Sequence, residues 1–160
     1  MITEHVLELD RQIAASPEKV WRCLTEPELI AQWFAPKPVI CSDVKFEATP
    51  GGIFNLVMTM PGHPPMKEPP GCVLIAAPCT RLVWTSALAP GFQPHPPHTN
   101  PDDFYMSVDI RLTPRDGGCR YVVRALHSSE EVRQRHDEKY GFFTGWGTAA
   151  DQMAKLATTH

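Results

Sequence analysis

Apolar and polar residues alternate at the start of the chain. Leu7, Leu9, Arg11 and Ile13 share one side at period two, which predicts a strand over Thr3–Ala15. Ser16 and Pro17 stop it: serine suits an N-cap, and proline suits the first helical position, where its missing N–H would have no partner. A short helix then places Val20, Trp21 and Leu24 on one face. Thr25-Glu26-Pro27-Glu28 has the spacing of a capping box and opens a second short helix with Leu29, Ile30 and Trp33. Pro36 and Pro38 end that helix.

From there the period stays near two. Strands are predicted at Val44–Ala48, Ile53–Met60, Cys72–Ala76, Arg81–Ala87 and Phe104–Thr113. In the last, Phe104, Met106, Val108, Ile110 and Leu112 face one way, with Ser107, Asp109 and Arg111 opposite. Arg115-Asp116-Gly117-Gly118 reads as a hairpin turn. In the returning strand Tyr121, Val123, Ala125 and His127 share a parity. Pro61–Pro70 and Ala89–Asp103 are proline-rich and predict irregular loops.

The tail changes period again. Ser128 and Glu131 have capping-box spacing, and Phe143, Trp146, Ala150, Met153 and Ala157 recur at three and four. This predicts a long helix over Glu138–Ala157, weakened early by Gly141, Gly145 and Gly147, each costing about 1 kcal/mol against alanine. The fold class is therefore α+β. A curved antiparallel sheet needs a cover for its apolar face, and only the terminal helix is long enough to supply it. Residues 1–160 read as one such domain, with a hollow between helix and sheet.

Composition narrows the class. Hydrophobic residues make up 42% and charged residues 21% of the chain, so a core can form. A net charge of −3 argues against a nucleic-acid binder. The five cysteines include no C-x-x-C pair, which points to a reduced, cytoplasmic setting. The opening MITEHVLELD is acidic and does not read as a signal peptide, and no stretch approaches the roughly 18 apolar residues of a membrane span.

This order of elements carries matching motifs. Ala15-Ser16-Pro17-Glu18-Lys19-Val20-Trp21 is one, followed by Leu24 to Leu29 and then Gln32-Trp33-Phe34-Ala35-Pro36. Further along come Pro50-Gly51-Gly52-Ile53-Phe54, then Gly71, Pro78 and Arg81-Leu82-Val83-Trp84-Thr85. Val108–Leu112, Gly117-Gly118 and Gly145-Trp146 complete the series. Together they resemble the activator-of-Hsp-90-ATPase-homologue-like (AHSA-type) family, a branch of the START-like, or SRPBCC, superfamily. The resemblance implies the helix-grip fold and a cavity, and no single activity. Departures from the family pattern include Glu47, Thr49, Cys119 and Ile75-Ala76.

The candidate ligand-binding residues are Trp33, Phe54, Trp84, Met106, Val108, Tyr121, Val123, His127, Phe143 and Trp146. Parity directs them inward, and the nearby glycines leave space, so a pocket of about 300–1,000 Å³ is expected. The first functional reading is a cytoplasmic protein binding a small hydrophobic or aromatic molecule. The second is an enzyme of the cyclase, aromatase or hydrolase type, with His127 and Tyr121 as its only candidates. The third is an Hsp-90 co-chaperone-like module, and a homodimer is left open. No catalytic motif, cofactor motif or metal set is found. His63, His95 and His98 read as exposed loop histidines, and the charge run from Glu130 to Lys139 as a solvated helix face.

Overall fold

The period-two segments build one antiparallel sheet. The computed structural model describes residues 5–159. In it β1 (Val6–Ile13) pairs with β10 (Gly118–Leu126), which pairs with β9 (Ser107–Arg115). The order then runs through β6 (Arg81–Thr85), β5 (Gly71–Ala77), β3 (Ile53–Thr59) and β2 (Ile40–Phe46). A two-residue β4 (Met66–Lys67) also pairs with β3, and β7 (Leu88–Ala89) with β8 (Gln93–Pro94) forms a separate small hairpin. The sheet curls into a half-barrel. Its concave side carries Leu9, Val123, Ile110 and Leu82 in one cross-strand row, all buried. On the convex side Arg81 donates two hydrogen bonds to the carboxylate of Asp109, at 3.2 and 2.9 Å.

Helices close the concave side. In α1 (Pro17–Thr25) the Ser16 hydroxyl accepts from the Lys19 amide. In α2 (Pro27–Trp33) the Trp33 indole N–H donates to the Cys23 carbonyl at 2.7 Å and ties the two short helices together. A short α3 (Glu130–Gln134) runs into a π-helical turn at Arg135–Lys139. Gly141, at φ +62°, then breaks the direction, because that left-handed backbone favours glycine. The long α4 (Phe142–Thr159) starts afresh and buries Phe142, Ala149, Ala150, Met153 and Ala157. A helix-grip architecture results, as the sequence implied.

Several boundaries differ from expectation, each for a local reason. The terminal helix begins at Phe142 rather than Glu138, because Gly141 separates it from the π turn. The capping serine of α3 is Ser129, whose hydroxyl accepts from the Val132 amide, so the Ser128 capping box does not form. Neither does the one at Thr25, whose hydroxyl donates back to the Trp21 carbonyl while Glu26 occupies the cap without a side-chain bond. β2 runs Ile40–Phe46 and ends before the predicted Ala48. β9 starts at Ser107, leaving Phe104 and Met106 in the preceding loop. The expected first strand is trimmed to Val6–Ile13, and its first two positions, Thr3 and Glu4, lie outside the described residues.

Candidate functional site

The concave interior is filled with rings. Phe54 sits edge-on to Trp84 at 4.7 Å, to Phe46 at 5.2 Å and to Phe34 at 5.4 Å, and Phe34 meets Trp33 at 5.5 Å. Edge-to-face contact at these distances is favourable and space-filling. The void left among Trp33, Phe54, Trp84 and their neighbours is about 10 Å³, room for one water. The pocket expected under the sheet is therefore not open. Phe34 packs among Trp33, Phe54 and Trp84, and Phe46 packs on Phe54.

The other expected wall residues are dispersed. Val108, Tyr121 and Val123 are buried on the concave face, and Met106 is half-buried. Tyr121 is 2% exposed, its hydroxyl makes no hydrogen bond among the described residues, and burial pushes its pKa up. Trp146 is half-buried against Phe142 at 5.2 Å. Phe143 departs from expectation: it is 49% exposed, and Phe142 takes the inward place.

A larger hollow lies beside the first half of α4. It measures about 510 Å³ and is open to solvent, with Pro36 and Lys37 on one wall and Tyr140, Gly141, Thr144 and Gly145 on the other. Gln152 of α4 fixes the first wall. Its amide donates to the carbonyls of Trp33 and Ala35, both at 2.9 Å, and its oxygen accepts from the Lys37 amide at 3.0 Å. The second wall is fixed by Asp102, whose carboxylate receives Lys139 at 3.1 Å and whose backbone carbonyl accepts from the Tyr140 hydroxyl at 3.3 Å. Gly145 leaves the space open, since a Cβ there would meet nothing within 4 Å. The glycine run was visible in the sequence. Its space lies beside the helix instead of beneath it.

His127 is where parity placed it, buried at the end of β10, and both its ring nitrogens are bonded. Nδ1 lies 2.9 Å from the His5 carbonyl, and Nε2 lies 2.7 Å from Nδ1 of His136. A carbonyl only accepts, so a neutral His127 carries its proton on Nδ1, and His136 donates from Nδ1 to Nε2. His136 was missed by pattern reading because it sits inside the charge run, yet it is 6% exposed. The π turn rotates it inward onto Phe104, Phe142 and Trp146. Burial, with a smaller contribution from His127, pushes its pKa down to about 4. Burial also lowers that of His127.

The loop histidines need a correction too. His95 is half-buried and bonds the Pro70 carbonyl at 2.7 Å, and His98 is half-buried against Tyr105, their rings 3.9 Å apart. The mini-hairpin fixes the start of this loop, with the His95 amide donating to the Ala87 carbonyl at 3.1 Å. Among the described residues no three His, Cys, Asp or Glu side chains are placed to hold a metal. Among the same residues no helix is long and apolar enough to cross a membrane.

Comparison with known proteins agrees with this architecture. A protein of Nitrosomonas europaea, solved by crystallography, is 38% identical with a TM-score of 0.90, covering 99% of this chain and 97% of its own. One from Rhodobacter sphaeroides is 23% identical with a TM-score of 0.79 over 96% of this chain and 93% of its own, a likeness of fold. No curated protein matches the sequence. The family model described as activator of Hsp90 ATPase homolog 1-like protein matches residues 14–158. The chain belongs to that family, within the START-like (SRPBCC) group of helix-grip proteins.

Proposed function

We propose that this protein binds a small, mainly apolar or aromatic molecule in the hollow beside α4. The observation that carries the reading is the 510 Å³ space at Gly145, within the range of small-molecule sites. Tyr140 offers a ring, Pro36 an apolar surface, and Thr144 and Thr148 hydroxyls, so the hollow suits a flat ligand with a polar edge. Lys37 makes no ion pair among the described residues and is available to an acidic group on such a ligand. The inward residues Trp33, Phe54, Trp84, Val108, Tyr121 and Val123 are buried in the core and do not line this hollow. A ligand would contact them only by parting the ring cluster.

The test is thermal unfolding against a panel of bicyclic and tricyclic aromatics, including 1-anilinonaphthalene-8-sulfonate. A ligand at a hundredfold excess over its Kd stabilises the fold by about 2.7 kcal/mol. Gly145→Leu should fold normally, because its side chain enters open space, and should lose that shift. A shift that survives Gly145→Leu would move the seat elsewhere, and no shift with any compound would remove the binding reading.

A second reading is favoured by Ile40, Met60 and Met66, large apolar side chains exposed around the β2–β4 end of the sheet. They suit a protein-contact surface of the kind the family's name suggests. Retention of Hsp90 by immobilised wild type, lost in Ile40→Lys, would support it. The catalytic reading has less to stand on, since His127 has no ring nitrogen left for a substrate.

A further inference from the structure

The His127–His136 pair occupies a junction. His136 lies in the π turn, and the next residues, Glu138 to Gly141, wall the hollow beside α4. The loop before β9 closes over the same turn. Phe104 packs on His136 at 5.2 Å, on His127 at 5.9 Å and on Tyr140 at 6.0 Å, while Asp102 holds Lys139 and Tyr140. Among the described residues the turn has one buried polar tie to the end of β10, the bond between the two rings. π turns inside helical segments often mark functional sites, since they trade helical regularity for the placement of one residue.

Three of the four ring nitrogens are committed. His127 Nδ1 donates, His127 Nε2 accepts and His136 Nδ1 donates, so an added proton goes to His136 Nε2. Among the described residues none supplies the resulting cation with a counter-ion. From α4 the neighbours are Phe142 and Trp146, and from the loop Phe104. α3 contributes Arg133, whose charge works against protonation of His127, and Glu130, already bound to Arg133 and His5. The His5 ring also opposes a charge on His127, and Asp102 is held by Lys139. A cation on a ring only 6% exposed is poorly hydrated and unpaired, which is costly, and fuller exposure to water relieves the cost.

We propose that the bond between His127 and His136 is a proton-sensitive latch that keeps the π turn and the loop over it closed, and that proton uptake at His136 Nε2 releases both. The regulatory meaning rests on the ligand reading above, because the released turn is one wall of the hollow. The latch itself stands on geometry alone.

Hydrogen exchange of the full chain, followed by mass spectrometry from pH 7 to pH 5 and corrected for the intrinsic rate, tests it without any ligand. A ring titrating near 6.5 when released and near 4 when held should raise opening of segments 95–106 and 134–141 about twentyfold between those pH values. Exchange in β9 and β10 should stay flat. His136→Gln keeps a donor toward His127 and takes up no proton, so its two segments should show no acid response. Should that variant fail to fold at pH 7, His136→Phe, which fits the aromatic surroundings, makes the same comparison. A flat wild-type profile overturns the latch. So does an acid response of equal size in the variants. Failure of the ligand reading would appear separately, as absent melting shifts at pH 7.

Discussion

Two hollows lie on either side of the α2 end, and opposite side-chain choices made them. Under the sheet, Trp33, Phe34, Phe46, Phe54 and Trp84 meet edge to face and leave about 10 Å³. Beside the helix, glycine stands at 141 and 145, threonine at 144 and 148, and about 510 Å³ remains open. Both spaces are bounded by the α2 end, since Trp33 faces one and Pro36 the other. The difference shows how a helix-grip frame can keep its shape with its interior closed. Aromatic volume turns the concave face into core, and room for a ligand moves to wherever the long helix lacks side chains.

The closed side should respond most strongly to truncation. Trp84 touches Phe54 and Phe34 and is buried. Trp84→Ala should cost about 3–5 kcal/mol, measured by urea unfolding, and should open a cavity that takes small apolar probes. A loss below 1 kcal/mol would mean that the ring cluster is loosely packed and can part for a ligand.

Acid should act on the turn that walls the open hollow. Histidines held neutral by burial bind protons more readily once unfolded, so their stabilisation is complete above pH 6.5 and shrinks as pH falls toward the folded value, about 4 for His136. That shift corresponds to about 3 kcal/mol for His136. Carboxylates such as Asp10, lowered first by its hydrogen bond to Arg120, lose their contribution only below the ordinary carboxylate range. The slope of urea-derived stability between pH 6.5 and 4.5 therefore reports the histidines, and His136→Phe should flatten it.

The frame was legible because it is periodic. Parity placed Leu7, Leu9, Val108, Tyr121, Val123 and His127 on the concave face, and the 146-150-153-157 spacing found the long helix. The site was less legible because it depends on breaks in period. Gly141 resets the helix phase, so Phe142 replaces Phe143 in the core. The π turn adds a residue to one turn and carries His136 inward from a charged stretch. The local pattern leaves Trp33-Phe34 as either a pocket wall or a core plug, and the choice depends on how α2 is docked by Gln152, distant in sequence.

Gln152 ties both hollows to α4, and removing it tests whether the open one loosens before the closed one. Gln152→Ala removes its three hydrogen bonds to Trp33, Ala35 and Lys37. The expected cost is about 2 kcal/mol, a drop in Tm of about 4–8 °C, with the wall at Pro36–Lys37 freed. Retained Trp fluorescence of the ring cluster, alongside weaker retention of aromatic probes, would separate the two hollows. Equal loss of both would show that they are one mechanical unit.

The three glycines give the finest comparison, because one residue type faces three different constraints. Gly145 is helical and its added Cβ meets open space, so Gly145→Ala should stabilise the ligand-free protein by about 1 kcal/mol through helix propensity. Gly147 is helical as well, but a Cβ there comes within 3.2 Å of Arg11 Nη2. Arg11 is a flexible side chain that reaches Asp151 at 3.8 Å, so its displacement should cancel most of the same gain. Gly141 sits at φ +62°, and alanine there should lose about 1–2 kcal/mol to backbone strain. Thermal unfolding of the three alanine variants should therefore rank 145 above 147 above 141. A Gly145→Ala variant less stable than wild type would mean that the space beside α4 is narrower than 510 Å³ of open groove, and the proposed ligand seat would close with it.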